Sequence, residues 1–405
     1  MWSERVDKTI VMNSKEYETP YFVIEKDILD NGLNQLKDAL ESTWGNFEIG
    51  YSYKTNTLPW VVDYFMENGC LSEVVSDDEY YLAKSRGAGR LIYNGVAKSK
   101  ETFLEAVEEH SIVNIDAEYE IDWLDELEEK ENCEVGIRVN FDLESICPGQ
   151  TQCGADGERF GFCYENGELK KAIDRITEKG VRLAGLHLHK SSKTRMPEIY
   201  RAIAEIAVKI AGEYDLDLKY VDIGGGFFGG LPTKPQFIEY FDMVSSILKK
   251  KFKPQCTQLI VEPGMALIGA AVSFVTTVKD VKRTLAATIA ITDGSRTNID
   301  PLMTKSSYFD EIVRSDAGKR EIIERQIISG FTCMEHDRLF EVHNGEELLP
   351  GDKIIYHKVG AYTMCLSPLF IKWFPDVYVR TGESYKLVRS RWKTPEYTSN
   401  STGEI

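Results

Sequence analysis

The sequence predicts an α/β protein: a (β/α)₈ TIM barrel over residues 25–270, followed by a mostly antiparallel β domain of sandwich or barrel type, built from residues 1–24 and 271–390. Three observations predict it. Between residues 47 and 264 eight short β-rich runs alternate with amphipathic stretches. Beyond about residue 270 the β runs continue with few helical stretches between them. Finally, 405 residues exceed one ordinary core but accommodate a barrel of about 250 residues plus a domain of about half that size.

The eight runs are FEIGYSYKT (47–55), CLSEVV (70–75), RLIYN (90–94), IVNID (112–116), VGIRVN (135–140), RLAGLHLH (182–189), KYVDIGG (219–225) and QLIVEPG (258–264). Between them, PWVVDYFMEN, DDEYYLAKSR, SKETFLEAVEE, YEIDWLDELEEK, ENGELKKAIDRITEK, PEIYRAIAEIAVKIAGEY and QFIEYFDMVSSILKKK repeat apolar residues every three or four positions, as helices with one buried face do. Unbroken strand–helix repetition favours a closed barrel over an open doubly wound sheet. In the second domain SFVTTVKDV, TIAITD, RQIISGFT, DRLFEV, DKIIYHKV, DVYVR and YKLVRSR read as strands, and NGEELLPGDKI supplies turn chemistry between two of them. The composition of residues 391–405 reads as a loose tail.

Net charge of −17, spread along the chain, sets the field against nucleic acid and anionic membranes and leaves small molecules as the expected partners. Neither the first 20 residues nor the longest nearly apolar run, MALIGAAVSFV, has the length or character of a signal peptide or bilayer span, so a cytoplasmic location is expected. Eight cysteines without a CxxC pair argue against a disulfide scaffold or zinc ribbon, and no metal is expected.

In a (β/α)₈ barrel reactive groups gather at the carboxyl ends of the strands. Here those ends carry Lys54, Ser76, Asn94, Asp116, Arg138, His189, the run Gly224, Gly225, Gly226, and Glu262. A lone strand-end lysine is usually a solvated cation. Three glycines after a strand serve a phosphate cradle and a plain tight turn equally well. The run is not a GxGxxG with an acidic partner downstream, which disfavours a nicotinamide site. Lysine, glycine turn, histidine and carboxylate at one barrel mouth together meet the needs of pyridoxal 5′-phosphate (PLP). His187 reads as a structural residue pointing away from His189.

Six motifs, YSYKTN, GLHLHKSSK, VDIGGGFFGG, VEPGMAL, GFTCMEHDRLF and GAYTMCLSP, occur in the order and spacing of the fold-type III PLP decarboxylases, the diaminopimelate and ornithine decarboxylase family with its alanine-racemase-like barrel. The chain resembles that family from about residue 19 to residue 380. The resemblance implies that Lys54 forms the Schiff base, that His189 stacks on the cofactor, and that Ser192 with Gly224, Gly225 and Gly226 holds its phosphate. It implies further that Glu262 faces the pyridine nitrogen, Arg138 the ring-hydroxyl side, and Tyr362 the phosphate. Cys333 and Asp337 would enter the other subunit's site in a homodimer with shared sites, Cys333 as proton donor after carbon dioxide loss. The activity implied is α-decarboxylation of an amino acid or an amino-acid-bearing intermediate. The alternative is a racemase or epimerase, against which Glu262 at the ring nitrogen counts.

The chain departs from the family pattern at several points. Lys190, Ser191 and Ser192 replace an apolar residue, glycine and serine, and Met265 stands where an arginine is usual, leaving Lys190 or Lys193 to compensate. Met334 takes the place of an acidic residue after the cysteine. Asp300 and Pro301 stand where the diaminopimelate enzymes have arginine and proline. An unneutralised Asp300 would repel a distal carboxylate. Asp293 and Asp300 are therefore expected to receive a distal ammonium, beside Met334 and Asp337.

Overall fold

The computed structural model describes residues 17–315, 318–399 and 401. The described residues fall into two compact units, one within 31–267 and the other within 17–30 and 268–401. Of the segment 1–24 expected in the β domain, residues 1–16 lie outside the described residues.

In the first unit, eight parallel strands pair in a closed ring: β1 Phe47–Ser52, β2 Leu71–Val74, β3 Leu91–Tyr93, β4 Ile112–Ile115, β5 Glu134–Asn140, β6 Arg182–His187, β7 Tyr220–Asp222 and β8 Gln258–Val261. Closure runs through β8 and β1, where Leu259 pairs with Phe47 and Ile260 with Glu48. All eight coincide with expected runs, but most stop one to three residues short of the carboxyl end of the run. That is where the chain leaves the ladder to present side chains at the mouth. Ile92, Ile112, Ala184, Tyr220 and Ile260 pack together in the core. Room for the Tyr220 ring comes from Gly136 on β5 and its register partner Gly185 on β6, since a Cβ at either would lie 2.1 Å from Tyr220.

The helices start where local chemistry permits. Ser76 caps Asp77–Ser85 by accepting from the Glu79 amide, and Ser99 likewise caps Lys100–Glu108 through Thr102. Proline opens Pro59–Glu67 and Pro197–Glu213, where its missing N–H costs nothing. The latter buries Ile199, Ile203, Ile206 and Ile210, one stripe at helical spacing. The stretch after β4 is shorter than its apolar pattern suggests: an α-helix over Glu118–Trp123 passes into a 3₁₀ turn, Leu124–Glu126.

In the second unit Tyr21–Glu25 lies between Val272–Arg283, antiparallel, and Asp376–Thr381, parallel. Thr288–Thr292, Phe309–Val313, Ile322–Ser329, Arg338–Glu346, Lys353–His357 and Ser384–Arg389 complete a sheet of mainly antiparallel pairs. Phe309–Val313 was not among the expected strands. The tail stretch is structured as far as it is described: Thr394–Thr398 is helical, Tyr397 stacks on Trp373 at 4.0 Å, and Arg391 donates to the carbonyls of Glu18 and Pro20. Among the described residues no helix is long and apolar enough to cross a membrane.

Candidate active site

Lys54 is not the last residue of a strand. β1 ends at Ser52, and Tyr53–Thr55 form a single 3₁₀ turn that lifts the lysine onto the rim. Its ammonium lies 3.0 and 3.2 Å from the carboxylate oxygens of Glu73 on β2. The lysine side chain is 37% exposed whereas that of Glu73 is fully buried, so a carboxylate inside the wall holds an amine that still reaches solvent. Ser52 Oγ donates to the same carboxylate at 2.6 Å, and Asn94 Nδ2 at 3.0 Å.

Asn94 also donates to Glu262 Oε1, and its own carbonyl oxygen accepts from Asn114 Nδ2 at 2.8 Å. Glu262 Oε2 lies 3.4 Å from His187 Nε2, and the Glu262 amide donates to the Gly224 carbonyl at 2.8 Å. Lys54, Glu73, Asn94, Glu262 and His187 thus form one continuous polar chain. Burial works against a charge on Glu262, but the contact with His187 and then the charge on Lys54 outweigh it and hold the carboxyl ionised, well below the usual range. Asp222 responds in the opposite sense: burial, and then the charge on Glu262, push its carboxyl far up, so it carries a proton. Among the described residues, His187, Asp222 and Glu262 are the one group whose ligand atoms come close enough for a metal, all within 4.8 Å of one another, and all three are buried.

His187 corrects the expectation that it points away from His189. Their ring centroids are 6.3 Å apart with planes at 27°, because residues two apart in extended backbone share a face. His189 Nδ1 accepts the Gly225 amide at 3.0 Å, which requires an unprotonated nitrogen. Burial, followed by the charges of Lys54 and Arg138, likewise holds this imidazole neutral, well below its ordinary value.

The glycine turn has little space to spare. Gly224 and Gly226 have φ of 68° and 90°, the left-handed region, and a Cβ on Gly225 would lie 2.1 Å from the Glu262 carbonyl oxygen. Tyr200 fixes the turn from outside by donating to the Gly225 carbonyl at 2.9 Å. Gly224 N–H donates to Asp222, whereas the amides of Gly226 and Phe227 meet no acceptor among the described residues. Ser192 lies in the chain after β6, its hydroxyl accepting the Arg195 amide at 3.0 Å. On the other side of the ring of strands, Arg138 on β5 pairs with Asp116 at 3.3 Å and lies over Phe160 at 4.3 Å. Ser76 belongs to its helix cap and not to this network.

Lys190 does not stand in for the arginine missing at Met265. Its buried ammonium lies 3.0 Å from Glu158 and 3.0 Å from Asn140, over the Phe141 ring. Glu73, Asp222, Asn114 and Ser52 were missed in the sequence. Glu73 had one legible signal, an acid inside the otherwise uncharged run CLSEVV.

In the β unit, Cys333 and Tyr362 are both exposed, so neither is a packed core side chain, and Tyr362 has φ of 55°. Met334 is half-buried in the same turn as Cys333. The three aspartates are engaged internally. Asp293 accepts from Thr19 Oγ1 and the Thr277 amide and pairs with Lys279 at 3.0 Å. Asp300 accepts from Arg296, Tyr308 and the amides of Thr304 and Lys305. Asp337 accepts from Ser295, Thr332 and the Arg296 amide. These carboxylates hold turns of the β unit together, and Arg296 neutralises the Asp300 charge on which the argument against a distal carboxylate rested.

A closed parallel barrel with an amine, an ionised acid, two imidazoles and a glycine turn at the ends of β1, β8, β7 and β6, four consecutive strands of the ring, defines the pyridoxal-binding class. The family model for the pyridoxal-dependent decarboxylases, pyridoxal binding domain, matches residues 29–269. The chain belongs to that family and is a PLP-dependent amino-acid decarboxylase by class. Diaminopimelate decarboxylase of Aquifex aeolicus is 26% identical over 393 residues, covering 93% of this chain and 90% of the relative. The L-glutamyl-[BtrI acyl-carrier protein] decarboxylase of Niallia circulans is also 26% identical, over 408 residues, covering 93% and 92%. Among solved structures, the diaminopimelate decarboxylase of M. jannaschii in complex with L-lysine has the same fold, with a TM-score of 0.84 at 22% identity, covering 96% and 94% of the two chains. So does the Paramecium bursaria Chlorella virus arginine decarboxylase, with a TM-score of 0.75 at 19% identity, covering 91% and 98%.

Proposed function

We propose that the protein removes the α-carboxylate of an amino acid, free or borne on a biosynthetic intermediate, with Lys54 as the attachment point of PLP. The observation that carries this is the polar chain joining Lys54 to Glu262 beside the glycine turn. The residues present fit the cofactor: two acceptorless amides at Gly226 and Phe227 with Ser192 suit a phosphate, an ionised Glu262 suits a protonated pyridine nitrogen, and neutral His189 suits a ring face. When bound, PLP takes up the electron pair left as carbon dioxide departs.

The chain's own contributions follow from the geometry. Glu73 and Ser52 orient the Lys54 amine. Glu262 keeps a proton on the atom it faces, and protonated Asp222 prevents a second negative charge from competing. His189, unable to take a proton readily, serves as a surface and not as a base. By the family resemblance rather than by the geometry, Arg138 would serve the ring-hydroxyl side and Tyr362 the phosphate, and Cys333 of a second subunit would return the proton to Cα. Exposure of Cys333 and Tyr362 supports a role for them outside their own core. Met334 bounds the distal end of the substrate. Asp293, Asp300 and Asp337 are not carried forward as substrate ligands, because donors of their own unit engage them.

The test is carbon dioxide release from a panel containing meso-diaminopimelate, ornithine, lysine, arginine, glutamate and a glutamyl carrier-protein thioester, read by mass spectrometry of the products. Lys54→Ala should lose both the visible absorption of lysine-bound cofactor and all release. Release at the wild-type rate from Lys54→Ala, or deuterium entry at Cα with the carboxylate retained, would overturn the assignment.

A further inference from the structure

The phosphate cradle at the glycine turn shows two acceptorless amides and a hydroxyl, but no cation where the sequence has Met265. Lys190 is held by Glu158 inside the wall, and the Lys193 side chain is exposed. We propose that Arg195 is the phosphate-binding cation of this site, a positioning residue for the cofactor that takes the place vacated at Met265. The proposal deepens the PLP reading and rests on it.

Arg195 is built into the cradle. Its amide donates to the hydroxyl of Ser192, and its carbonyl accepts the Tyr240 hydroxyl at 2.6 Å. The same Tyr240 oxygen accepts the Phe228 amide at 3.4 Å, so a single side chain ties the loop after β6 to the loop after β7. Tyr240 in turn packs edge-on against Tyr200, whose hydroxyl fixes Gly225. The Arg195 guanidinium lies 5.6 Å over the Phe228 ring, two residues beyond Gly226. Arg195 has φ of 55°, a conformation that a long side chain adopts only when its surroundings impose it, and one that concentrates at binding sites. Among the described residues its guanidinium has no carboxylate partner, in a chain where acids outnumber bases by 65 to 48. A half-buried arginine kept clear of acids beside open amides matches a dianionic phosphate, which it can bind in bidentate fashion. Lys234 also approaches Phe228, at 5.2 Å, but from an exposed turn with neither of these backbone ties.

The experiment titrates the full chain, stripped of cofactor, with PLP and separately with pyridoxal, which lacks the phosphate, following the absorbance of lysine-bound cofactor. Asparagine tolerates left-handed backbone, so Arg195→Asn removes the charge without adding strain. Losing one charge-assisted phosphate contact should weaken PLP binding by about tenfold or more, while pyridoxal binding stays within about twofold. Arg195→Lys should recover most of the loss, and Lys234→Gln should cost less than Arg195→Asn. An unchanged preference for PLP over pyridoxal in Arg195→Asn, or equal loss of both compounds in Arg195→Asn and Arg195→Lys, would overturn the proposal. Wild-type chain that takes up neither compound would instead overturn the cofactor reading beneath it.

Discussion

Replacing Gly225 by alanine isolates the coupling between the glycine turn and Glu262. Unlike its neighbours Gly224 and Gly226, Gly225 does not have a left-handed φ, so its own backbone tolerates a side chain. What excludes one is the opposing chain: the new Cβ would lie 2.1 Å from the Glu262 carbonyl oxygen, and ordinary contact begins at 3.4 Å, so the two segments must part by about 1.3 Å. Both are backbone, and neither can swing aside as a flexible side chain would. The Glu262 amide to Gly224 carbonyl bond, now 2.8 Å, would be strained or lost, at a cost of about 1 kcal/mol. A larger effect falls on chemistry, since a misplacement of about 1 Å can cost about a hundredfold in rate. The expected result is kcat/KM for carbon dioxide release down by about a hundredfold, with weakened PLP affinity and a small fall in Tm. Gly69→Ala is the comparison: φ is 77° with nothing within 4 Å, so it carries backbone strain without a clash and should lower Tm while sparing activity. A Gly225→Ala enzyme with wild-type kcat/KM and PLP affinity would refute the reasoning that this close approach sets Glu262 against the cofactor.

The remaining expectations concern stability, pH and assembly. Lys98 and Glu120 form a fully buried pair at 3.0 Å, and Lys98 also donates to the carbonyls of Gly95 and Asn114. Lys98→Met should therefore destabilise by about 3–5 kcal/mol, read by urea unfolding; a loss under about 1 kcal/mol would mean water reaches Glu120. Burial raises the Glu79 carboxyl from 4.5 to about 7. The folded protein then holds a proton that the unfolded chain releases near 4.5, and the associated stability, present at lower pH, is lost as pH rises to 7. Glu79→Gln keeps the oxygen that accepts the Val75 amide and removes this loss, so its Tm should gain on wild type between pH 5 and pH 8, by at most about 3 kcal/mol equivalent. A constant difference across that range would contradict the direction of the shift. Lys54→Ala and Cys333→Ala chains, each inactive alone, should regain activity when mixed if sites are shared between subunits, up to about a quarter of wild type for random pairing of equal chains; no recovery counts against shared sites.

The barrel was legible because period-2 runs and helical stripes alternate without a break, and no tertiary override is needed to place eight strands. The site was legible in outline for a related reason: residues that pack poorly, Lys54, Glu262 and the three glycines, stand where packing residues belong. What stayed hidden depends on proximity across strands. Glu73 is an acid in the middle of a four-residue strand, and its partner lies 19 positions away along the chain. Asp222 went unnoticed because nothing along the chain shows that burial, and then the charge of Glu262, 40 residues on, push its carboxyl up. His187 was misjudged through its period alone, since positions 187 and 189 share a face. Asp300 was misjudged for want of Arg296, four residues earlier and turned back upon it by a short helix, Arg296–Ile299.

These misreadings share a direction, and it bears on how the substrate is chosen. Asp293 and Asp300, expected from the sequence to meet the substrate as free charges, are paired in the structure with Lys279 and Arg296, and of the two acids that went unnoticed Glu73 is paired with Lys54 while Asp222 is pushed toward its protonated form. Glu262 remains as a buried ionised carboxyl, held so by its contact with His187 and the charge on Lys54. A protein with 65 acidic residues can thereby present a mouth that does not repel a carboxylate. If Lys54 is the attachment point proposed above, that condition is necessary for any α-amino acid to enter, because its own carboxylate would have to approach Lys54 before leaving as carbon dioxide. If residue 334 meets the distal end of the substrate, as proposed above, discrimination among amino acids falls partly to Met334, an apolar side chain with no charge of its own. Restoring an acid there, Met334→Asp, should shift preference toward substrates with a distal ammonium by about tenfold or more, measured as the ratio of kcat/KM for ornithine to that for glutamate. An unchanged ratio would show that residue 334 does not touch the substrate.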